Sequence, residues 1–391
     1  MDLKQVRESG WRPVPVRDVI VKVHERCNLA CTYCYVYEHA DQSWRDRPSV
    51  MPADVWQATV ASLTRHVVRH GLPAIRVILH GGEPLLLGAA RVGELAGDLR
   101  ASLEEHCAVE VGMQTNGVLL NERMMAELRR HRVRIGISVD GTRADHDRYR
   151  VTHDGRGTFD RVAAALRLLG QPENRDSYGG LLCTVAADTD PIATYDTLRA
   201  FEPPSINFLL PHANWDNPPQ RPAGSPTPHG DWLVAAFDRW YADEDPPSVQ
   251  LFEDVIVLLL GGKGSSEQIG LSPAALAVIE TDGTIEQVDA LKSAYPGAAA
   301  TGLDIRRDEL DALLDDPGVV ARQIGRIALS DECLACPLHQ VCGGGHYVHR
   351  YRAGAGFRNP SVYCDDLQRL INHVRDRVVA DVSALSGKAR S

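Results

Sequence analysis

Three cysteines lie close together after the first predicted β-strand, with the spacing C-x3-C-x2-C: Cys27, Cys31 and Cys34. Clustered cysteines in a chain without a secretory signal favour metal sites over disulfides. Iron–sulfur clusters are normally held by four thiolates, so a loop with three thiolates leaves one iron open, as catalytic metal sites keep one position free. The spacing indicates a cluster that binds and activates another molecule. The alternative is a zinc site that borrows a distant fourth ligand.

Four more cysteines near the C-terminus have the spacing C-x2-C-x5-C-x21-C: Cys333, Cys336, Cys342 and Cys364. Four thiolates complete an iron–sulfur cluster with no open iron, and a structural zinc site uses the same number of ligands. On this segment alone both interpretations remain open. The remaining cysteines, Cys107 and Cys183, lie on or beside predicted strands and are predicted to be small buried apolar side chains.

Polar segments follow three further predicted strands: Gly81-Gly82-Glu83-Pro84, Gln114-Thr115-Asn116-Gly117 and Ser138-Val139-Asp140-Gly141. Glycines let the backbone approach a ligand closely, and the polar side chains could hydrogen-bond a ribose or an amino acid moiety. Each segment taken alone is an ordinary loop or cap. Their recurrence on successive strands, at the same rim as the first cysteines, predicts a ligand-binding site.

Short β-branched runs alternate with helix-like segments between about residues 18 and 210. The predicted strands span 18–24, 75–80, 108–115, 133–139, 180–186 and 204–210. The predicted helices span 52–70, 90–106, 121–131, 158–170 and 191–201. Strict alternation predicts parallel βαβ units of the α/β class. Six units are too few for a closed eightfold barrel, so we expect a partial (β/α)6 barrel with its chemistry at the C-terminal ends of the strands.

The remainder of the chain is predicted to hold a linker and a smaller α+β region. Residues 211–228 are dense in proline and are predicted to form a linker or lid. Helices are predicted near 229–243, 249–261 and 365–384, and a hairpin at 276–281 and 284–288 that turns at Asp282-Gly283. The predicted domain ranges are 1–212, 213–272 and 273–391.

Composition limits the function classes. The 391 residues include 42 Lys and Arg against 52 Asp and Glu, a formal net charge of −10, which argues against a nucleic-acid partner. The N-terminus is polar where a secretory signal would be apolar, and the longest apolar run, 255–260, is far too short to cross a bilayer. We therefore expect a soluble, cytoplasmic protein without a membrane partner.

At its first cysteines and polar strand ends the chain resembles the radical S-adenosylmethionine (SAM) superfamily over about 210 residues. The resemblance implies that Cys27, Cys31 and Cys34 hold a [4Fe-4S] cluster beside Tyr33, and that the segment Gly81, Gly82 and Glu83 contacts the methionine amino group. It also implies that SAM is lined by Thr115, Asn116, Ser138 and Asp140, with Arg150 facing its carboxylate. An external electron donor would reduce the cluster, and SAM would then yield a 5′-deoxyadenosyl radical that abstracts hydrogen.

Behind such a core, the second cysteine group resembles the auxiliary-cluster half of a SPASM domain, which implies that Cys333, Cys336, Cys342 and Cys364 hold a [4Fe-4S] cluster. Relatives carry a second auxiliary cluster, but here Val288 and His346 stand where cysteines are expected, and no cysteine lies between 184 and 332. We therefore expect one auxiliary cluster and two clusters in total. His346 could still bind a metal, although a histidine in a glycine-rich loop is more often packed or hydrogen-bonded.

Three segments further resemble FxsB-type radical SAM/SPASM peptide maturases: EDVIVLLLGG (253–262), TDGTIEQVDALKSAYPGAA (281–299) and CGGGHYVHRYRAGAGFRNPSVYC (342–364). This resemblance implies a ribosomally made precursor peptide as substrate. The product would be a three-residue cyclophane, in which an aromatic ring carbon is joined to the β-carbon of a residue two positions away. Thioether or ether crosslinking, epimerisation, and a zinc-stabilised binding module without activity remain alternatives.

Closing the aromatic ring again requires loss of an electron and a proton. The auxiliary cluster is the expected electron acceptor. Asp289 is the expected proton acceptor, with Glu286 as its nearest rival, although a turn or ion-pair role for Asp289 is an equal alternative. About 17 residues precede the first strand, so we expect leader recognition by strand addition to a sheet edge or by a separate protein. The basic run at 129–134 is interpreted as a solvated helix end.

Overall fold

The computed structural model describes residues 3–8 and 10–388. Residues 1, 2, 9 and 389–391 fall within the predicted domain ranges but lie outside the described residues. The chain divides into two compact units. The first unit comprises 1–182, 201–204 and 274–323, and the second comprises 183–200, 205–273 and 324–391.

Ten strands are formed: β1 Asp18–His24, β2 Ala74–Gly81, β3 Ala108–Thr115, β4 Arg134–Ser138, β5 Tyr178–Thr184, β6 Ser205–Leu209, β7 Ser248–Val249, β8 Leu276–Ile279, β9 Thr284–Glu286 and β10 Ala300–Asp304. The α-helices are α1 Leu3–Glu8, α2 Ala53–His70, α3 Ala89–Leu103, α4 Glu122–Arg130, α5 Arg143–Tyr149, α6 Phe159–Leu169, α7 Pro191–Arg199, α8 Pro228–Tyr241, α9 Gln250–Leu259, α10 Pro317–Ala321, α11 Asp331–Ala335, α12 His339–Cys342 and α13 Cys364–Lys388.

The first unit is built on a mostly parallel sheet with the strand order β10-β9-β8-β1-β2-β3-β4-β5. The five strands from β1 to β5 pair in parallel in chain order, as predicted from their alternation with helices. Their valine- and isoleucine-rich sequences suit strands covered on both faces, and Val19, Val77, Val111 and Ile135 are fully buried. Parallel pairing places the C-terminal ends of these strands along one edge, where the predicted binding segments lie.

Strand β8 pairs in parallel with β1, with Val19 opposite Ala277, and leads into the antiparallel strands β9 and β10. The predicted hairpin is confirmed, because Gly283 turns the chain at φ +92. The predicted domain boundaries at 212 and 272 follow chain order, whereas the compact units follow strand pairing. Residues 274–323 consequently pack with the first 182 residues.

Local sequence signals account for several helix ends. Asp190 accepts hydrogen bonds from the amides of Ile192 and Ala193 at the start of α7, and Asn121 accepts one from Met124 at the start of α4. Gly71 ends α2 in the left-handed conformation. Strand β10 and helix α5 had no predicted counterpart, because neither segment shows a continuous apolar period.

The second unit packs its helices around aromatic side chains, and Phe208, Phe237 and Phe252 are fully buried. The proline-rich stretch 211–228 forms no strand or helix before α8, as predicted. It is fixed by Trp215, whose amide donates to the Tyr351 carbonyl at 3.0 Å and whose indole donates to the Pro360 carbonyl at 2.8 Å. Between residues 3 and 388, leaving out residue 9, no helix is both long and apolar enough to cross a membrane.

Candidate active site and cysteine clusters

The loop 27–34 that carries the first three cysteines leaves the C-terminal end of β1 and is held in place by backbone hydrogen bonds. The amide of Ala30 donates to the Val151 carbonyl at 2.8 Å, and the amide of Thr32 donates to the Tyr149 carbonyl at 3.1 Å. The three cysteines are half-buried. The loop is therefore anchored by its own backbone, which leaves the thiols to bind a ligand.

The spacing of the sulfur atoms bears on which metal group they fit. Among the described residues, the groups of three side chains with ligand atoms within 4.8 Å of one another include no cysteine. Thiolates around one tetrahedral zinc ion, with bonds of about 2.3 Å, would lie about 3.8 Å apart. In neither group do three sulfur atoms lie close enough together to bind one zinc ion. Both groups suit a larger iron–sulfur cluster.

Burial controls the protonation of the first three cysteines. It raises the pKa of Cys27 to about 12, although the amide of Leu29 partly offsets the effect. Burial also raises the pKa of Cys31 and Cys34, against the lowering effect of the Arg150 charge. These thiols are protonated until iron binds, so loading a cluster must release protons.

The two glycines of the predicted methionine-contacting segment have a role within the chain. A side chain on Gly81 would lie 2.0 Å from the His24 carbonyl oxygen, and one on Gly82 would lie 2.5 Å from the Arg26 carbonyl. Gly81 also has φ +140, a value that favours glycine. The close approach predicted from these glycines therefore includes the chain's own backbone, which brings the end of β2 against the end of β1, just before the cysteine loop.

Glu83 is fully buried and joins the ends of β2 and β3. Its carboxylate accepts hydrogen bonds from the Leu85 amide at 2.9 Å, the Thr115 hydroxyl at 2.6 Å and the Asn116 amide at 2.9 Å. Burial raises its pKa, against these hydrogen bonds. Because all three contacts are internal, Glu83 and Thr115 position the rim on which a ligand would rest.

Asn116 connects this rim to the cysteine loop. Its side-chain amide donates to the Asn28 side-chain oxygen at 2.8 Å and lies 3.8 Å from the Cys27 sulfur. His153 contacts the same loop, with its Nε2 3.0 Å from the Cys27 carbonyl oxygen. Asn28 and His153 were not singled out from the sequence. The position of Asn28 inside the cysteine motif was the available signal for it.

Buried Asp140 and half-buried Tyr33 and Arg150 form one group beside Cys31. Asp140 accepts a hydrogen bond from the Tyr33 hydroxyl and pairs with Arg150 Nε at 3.0 Å. Arg150 Nη1 lies 4.0 Å from the Cys31 sulfur. Burial alone would lower the pKa of Arg150, but Tyr33 and Asp140 outweigh it and hold the guanidinium charged. The structure thus gives Arg150 a protein partner, Asp140, where the resemblance implies the carboxylate of SAM.

Ser138 is the remaining predicted SAM contact. It lies half-buried at the end of β4, where its hydroxyl accepts a hydrogen bond from the Gln114 side chain at 2.9 Å. The pair joins the ends of β3 and β4 in the same way that Glu83 joins β2 and β3. The predicted SAM-contacting side chains are therefore brought together at the C-terminal ends of neighbouring strands.

In the second unit the second cysteine group surrounds a cavity of about 200 Å³, lined by Cys333, Cys336, Cys342 and Cys364. The glycine-rich turn after Cys342 is held by the buried guanidinium of Arg350, which donates to the carbonyls of Gly343 at 2.6 Å, Gly344 at 3.1 Å and Gly345 at 2.7 Å. Four convergent thiols around one cavity provide the full set of protein ligands that a closed cluster requires. Of the two other cysteines, Cys183 is buried as predicted. Cys107 is only half-buried, because it precedes β3 in the turn after α3.

Asp289 lies in a buried group of charges in the first unit. Lys22 Nζ is 2.7 Å from Asp289 Oδ2, which also accepts a hydrogen bond from the Tyr35 hydroxyl at 3.1 Å. Burial would raise the pKa of Asp289, but Lys22 and Lys292 outweigh burial and lower it well below its usual range. Asp289 Oδ1 is buried and has no hydrogen-bond partner, with Lys292 Nζ 3.9 Å away.

Glu286 belongs to the same buried group of charges. It pairs with Arg47 at 2.5 Å and with Lys292 at 3.1 Å. Burial and the nearby charge of Glu280 raise its pKa to about 7, against the lowering effect of Lys292 and Arg47. Lys22 and Arg47 were missed from the sequence. Lys22 could have been found from its place in the apolar strand DVIVKVH. A charge buried in such a strand needs a partner of opposite charge.

Comparisons with known proteins agree with this geometry. Residues 21–172 match the radical SAM superfamily. A cysteine-type anaerobic sulfatase-maturating enzyme of Clostridium novyi is 24% identical over 279 residues, which cover 69% of this chain and 72% of that protein. The structure of native anSMEcpe with bound AdoMet and Cp18Cys peptide matches with a TM-score of 0.81 at 20% identity, over 95% of this chain and all of that one.

A more distant match is SuiB of Streptococcus suis, solved bound to the precursor peptide SuiA. The TM-score is 0.59 at 14% identity, over 93% of this chain and 78% of that one. At these identities the solved structures establish the fold: a radical SAM α/β fold with a parallel sheet, followed by a SPASM-like C-terminal region. Residues 21–172 thus match the radical SAM superfamily, and the chain has the fold of anSMEcpe.

Proposed function

We propose that this enzyme modifies a ribosomally made precursor peptide by joining an aromatic ring carbon to the β-carbon of a nearby residue, giving a three-residue cyclophane. The observation behind the proposal is the meeting of the cysteine loop 27–34 with Glu83, Asn116, Asp140 and Arg150 at adjacent strand ends. A peptide substrate is supported by the peptides in the matching structures of anSMEcpe and SuiB. The carbon–carbon bond is supported by the FxsB-type segments of the sequence.

The residues present fit the cofactors that this function needs. The first three cysteines would hold a [4Fe-4S] cluster with one open iron, and the four cysteines around the 200 Å³ cavity would hold a second. When bound, SAM and the first cluster supply a hydrogen-abstracting radical, and the second cluster supplies an electron acceptor. The protein orients the SAM site through the internal contacts of Glu83 and Asn116, and Arg150 keeps a positive charge beside Cys31.

Asp289 is the proposed acceptor of the ring proton. Lys22 and Lys292 keep it ionised at neutral pH, and its Oδ1 has room for a proton because no hydrogen bond occupies it. Because its pKa is low, Asp289 is a weak base, and its proposed role depends on where it lies. Glu286, whose pKa is raised, is the stronger base of the same group. A proton taken by Asp289 would weaken its pairing with Lys22. We therefore propose that the Lys292 ammonium, which lies near both carboxylates, gives one of its protons to Glu286 and takes up the proton from Asp289 in its place.

An external reductant and a precursor peptide are the expected partners, and a separate protein could bind the leader. A cytoplasmic site of action follows from the need to keep the thiols reduced. The test is anaerobic co-expression with a short peptide encoded beside the gene, followed by tandem mass spectrometry. We expect loss of two hydrogens and a fragmentation gap over three residues that NMR assigns to a bond between a ring carbon and a β-carbon.

Variants of the two acids sharpen this test. Asp289→Asn is expected to lower product formation by about 10²–10⁴-fold while 5′-deoxyadenosine is still released, because proton removal follows hydrogen abstraction. Glu286→Gln should have a smaller effect. Unmodified peptide, unchanged mass with inverted stereochemistry, or a sulfur- or oxygen-linked bond would reject the cyclophane assignment.

A second candidate is maturation of a sulfatase, favoured by the 24% identity to the cysteine-type enzyme of Clostridium novyi. It is tested by co-expressing the enzyme with an inactive cysteine-type sulfatase and measuring sulfate ester hydrolysis. The cyclophane proposal predicts no gain of sulfatase activity.

A further inference from the structure

Three histidines of the second unit lie close together, and no cysteine belongs to their group. The ligand nitrogens of His212, His346 and His349 all lie within 4.8 Å of one another. The ring centroids of His212 and His346 are 6.1 Å apart, and those of His346 and His349 are 5.2 Å apart. The SPASM resemblance implies a cysteine at position 346, where this chain has a histidine.

His349 is the most informative member of this group. Its side chain is 3% exposed, and neither ring nitrogen forms a hydrogen bond of normal geometry. The nearby Pro211 carbonyl raises the pKa of His349, but by less than burial lowers it. A buried polar ring without a partner costs free energy, whereas a metal ion would satisfy one of its nitrogens. The Tyr363 ring packs against it with centroids 4.8 Å apart and fixes its orientation.

The surroundings of His349 favour its neutral form. Burial lowers the pKa of His349 well below its usual range, and the charges of His346, His212 and Arg350 lower it further. Neutral imidazole is the form that binds metal ions. His212 and His346 are half-buried, so an ion could enter from the side of these two rings.

We propose that His212, His346 and His349 form a zinc site that is separate from both cysteine groups. Tetrahedral zinc with bonds of about 2.0–2.1 Å to nitrogen places its ligands about 3.4 Å apart, which small side-chain rotations reach from the observed arrangement. Three imidazoles leave a fourth position for water or another ligand. Zinc has no redox chemistry, so the site would brace the glycine-rich loop 343–345 and would leave electron transfer to the second cysteine group.

The test uses anaerobically reconstituted enzyme, with both clusters in place, dialysed against Zn²⁺ and a weak chelator. Metal analysis is expected to give one zinc per chain, and X-ray absorption at the zinc edge should show nitrogen or oxygen ligands with the multiple scattering of imidazole. The iron of the clusters does not contribute at this edge. His346→Asn should lose the zinc but keep its iron and sulfide.

Two further variants distinguish this site from zinc bound elsewhere on the chain. His70→Asn is the matched control, because His66, His70 and Asp311 form another group with close ligand atoms, and it should keep its zinc. His346→Cys should keep zinc and gain one sulfur ligand at about 2.3 Å. The proposal is overturned if the wild-type enzyme retains no zinc, if its zinc has mainly sulfur ligands, if His346→Asn binds as much zinc as the wild type, or if His70→Asn loses it.

Discussion

Each cysteine region contains an arginine with little exposed surface, half-buried Arg150 in the first and buried Arg350 in the second, and the two are used differently. In the first region Arg150 pairs with the Asp140 carboxylate and also lies 4.0 Å from the Cys31 sulfur. In the second region Arg350 donates to three consecutive backbone carbonyls. Arg150 therefore contributes charge at a rim where a ligand can bind, whereas Arg350 fixes the shape of a loop.

This difference agrees with the number of cysteines in each region. In the proposed clusters, three thiolates would leave an iron open, and polar side chains from neighbouring strands converge beside these cysteines. Four thiolates around the 200 Å³ cavity would leave no iron open, and the glycine-rich turn beside them is held through its backbone carbonyls. The comparison suggests a reactive first site and a closed second site.

The largest effect is expected from removing one cysteine of each region. Cys34→Ala should lower reductive cleavage of SAM by on the order of 10³-fold or more, about 4 kcal/mol in activation free energy, because the open-iron cluster is lost. Cys364→Ala should retain cleavage but lose the modified peptide. Measuring 5′-deoxyadenosine and peptide product for both variants checks this. Equal loss of SAM cleavage in both variants would remove the distinction between a reactive and a closed site.

Exchanging the two arginines for lysine tests their different roles. Arg150→Lys should weaken SAM binding by about tenfold, or about 1.4 kcal/mol, because lysine cannot keep both the Asp140 pairing and the charge near Cys31. Arg350→Lys should leave SAM affinity unchanged and lower the iron content of the second region. Isothermal titration with SAM and iron analysis measure the two effects. Weaker SAM binding in Arg350→Lys would contradict the assignment of that arginine to the loop.

The smallest effect concerns the pH dependence of stability in the first region. Burial first, and the charge of Glu280 second, raise the pKa of Glu286 to about 7. A carboxyl group whose pKa is raised in the folded state stabilises the fold when it is protonated. This stabilisation is fully present below the unfolded pKa of about 4.3 and is lost as pH rises through about 7. Glu286→Gln should therefore remove up to about 3 kcal/mol of the decline in unfolding free energy between about pH 5 and pH 8.

Denaturant unfolding of the wild type and Glu286→Gln under anaerobic conditions measures this difference. Buried histidines make stability rise with pH instead, since burial and Lys22 lower the pKa of His80 to about 4. The informative quantity is therefore the difference between the two proteins in how unfolding free energy changes with pH. Glu309→Gln is the control, because Glu309 pairs with Arg65 at the surface. A Glu286→Gln slope equal to that of the wild type would show that Glu286 is ionised throughout.

Most of the parallel sheet and both groups of cysteines could be predicted from the sequence, because they depend on local patterns. All six strands predicted between residues 18 and 210 are formed, since each has an apolar run bounded by turn residues. It missed the strands β7 and β10 and the short helices α1, α5, α10, α11 and α12. The predicted roles of Asp289 and Arg150 remain predictions, although the structure adds a partner to each that sequence spacing could not show.

The sequence by itself determined which side chains are available as metal ligands and in what order the strands follow one another. Only the tertiary structure decided which charges meet. Lys22 pairs with Asp289 across 267 positions of the chain, and His212 reaches His346 in the same way. The physical reason is that ligand spacing and strand periodicity are local properties, whereas burial, charge pairing and the resulting pKa values depend on neighbours that folding brings from distant parts of the chain.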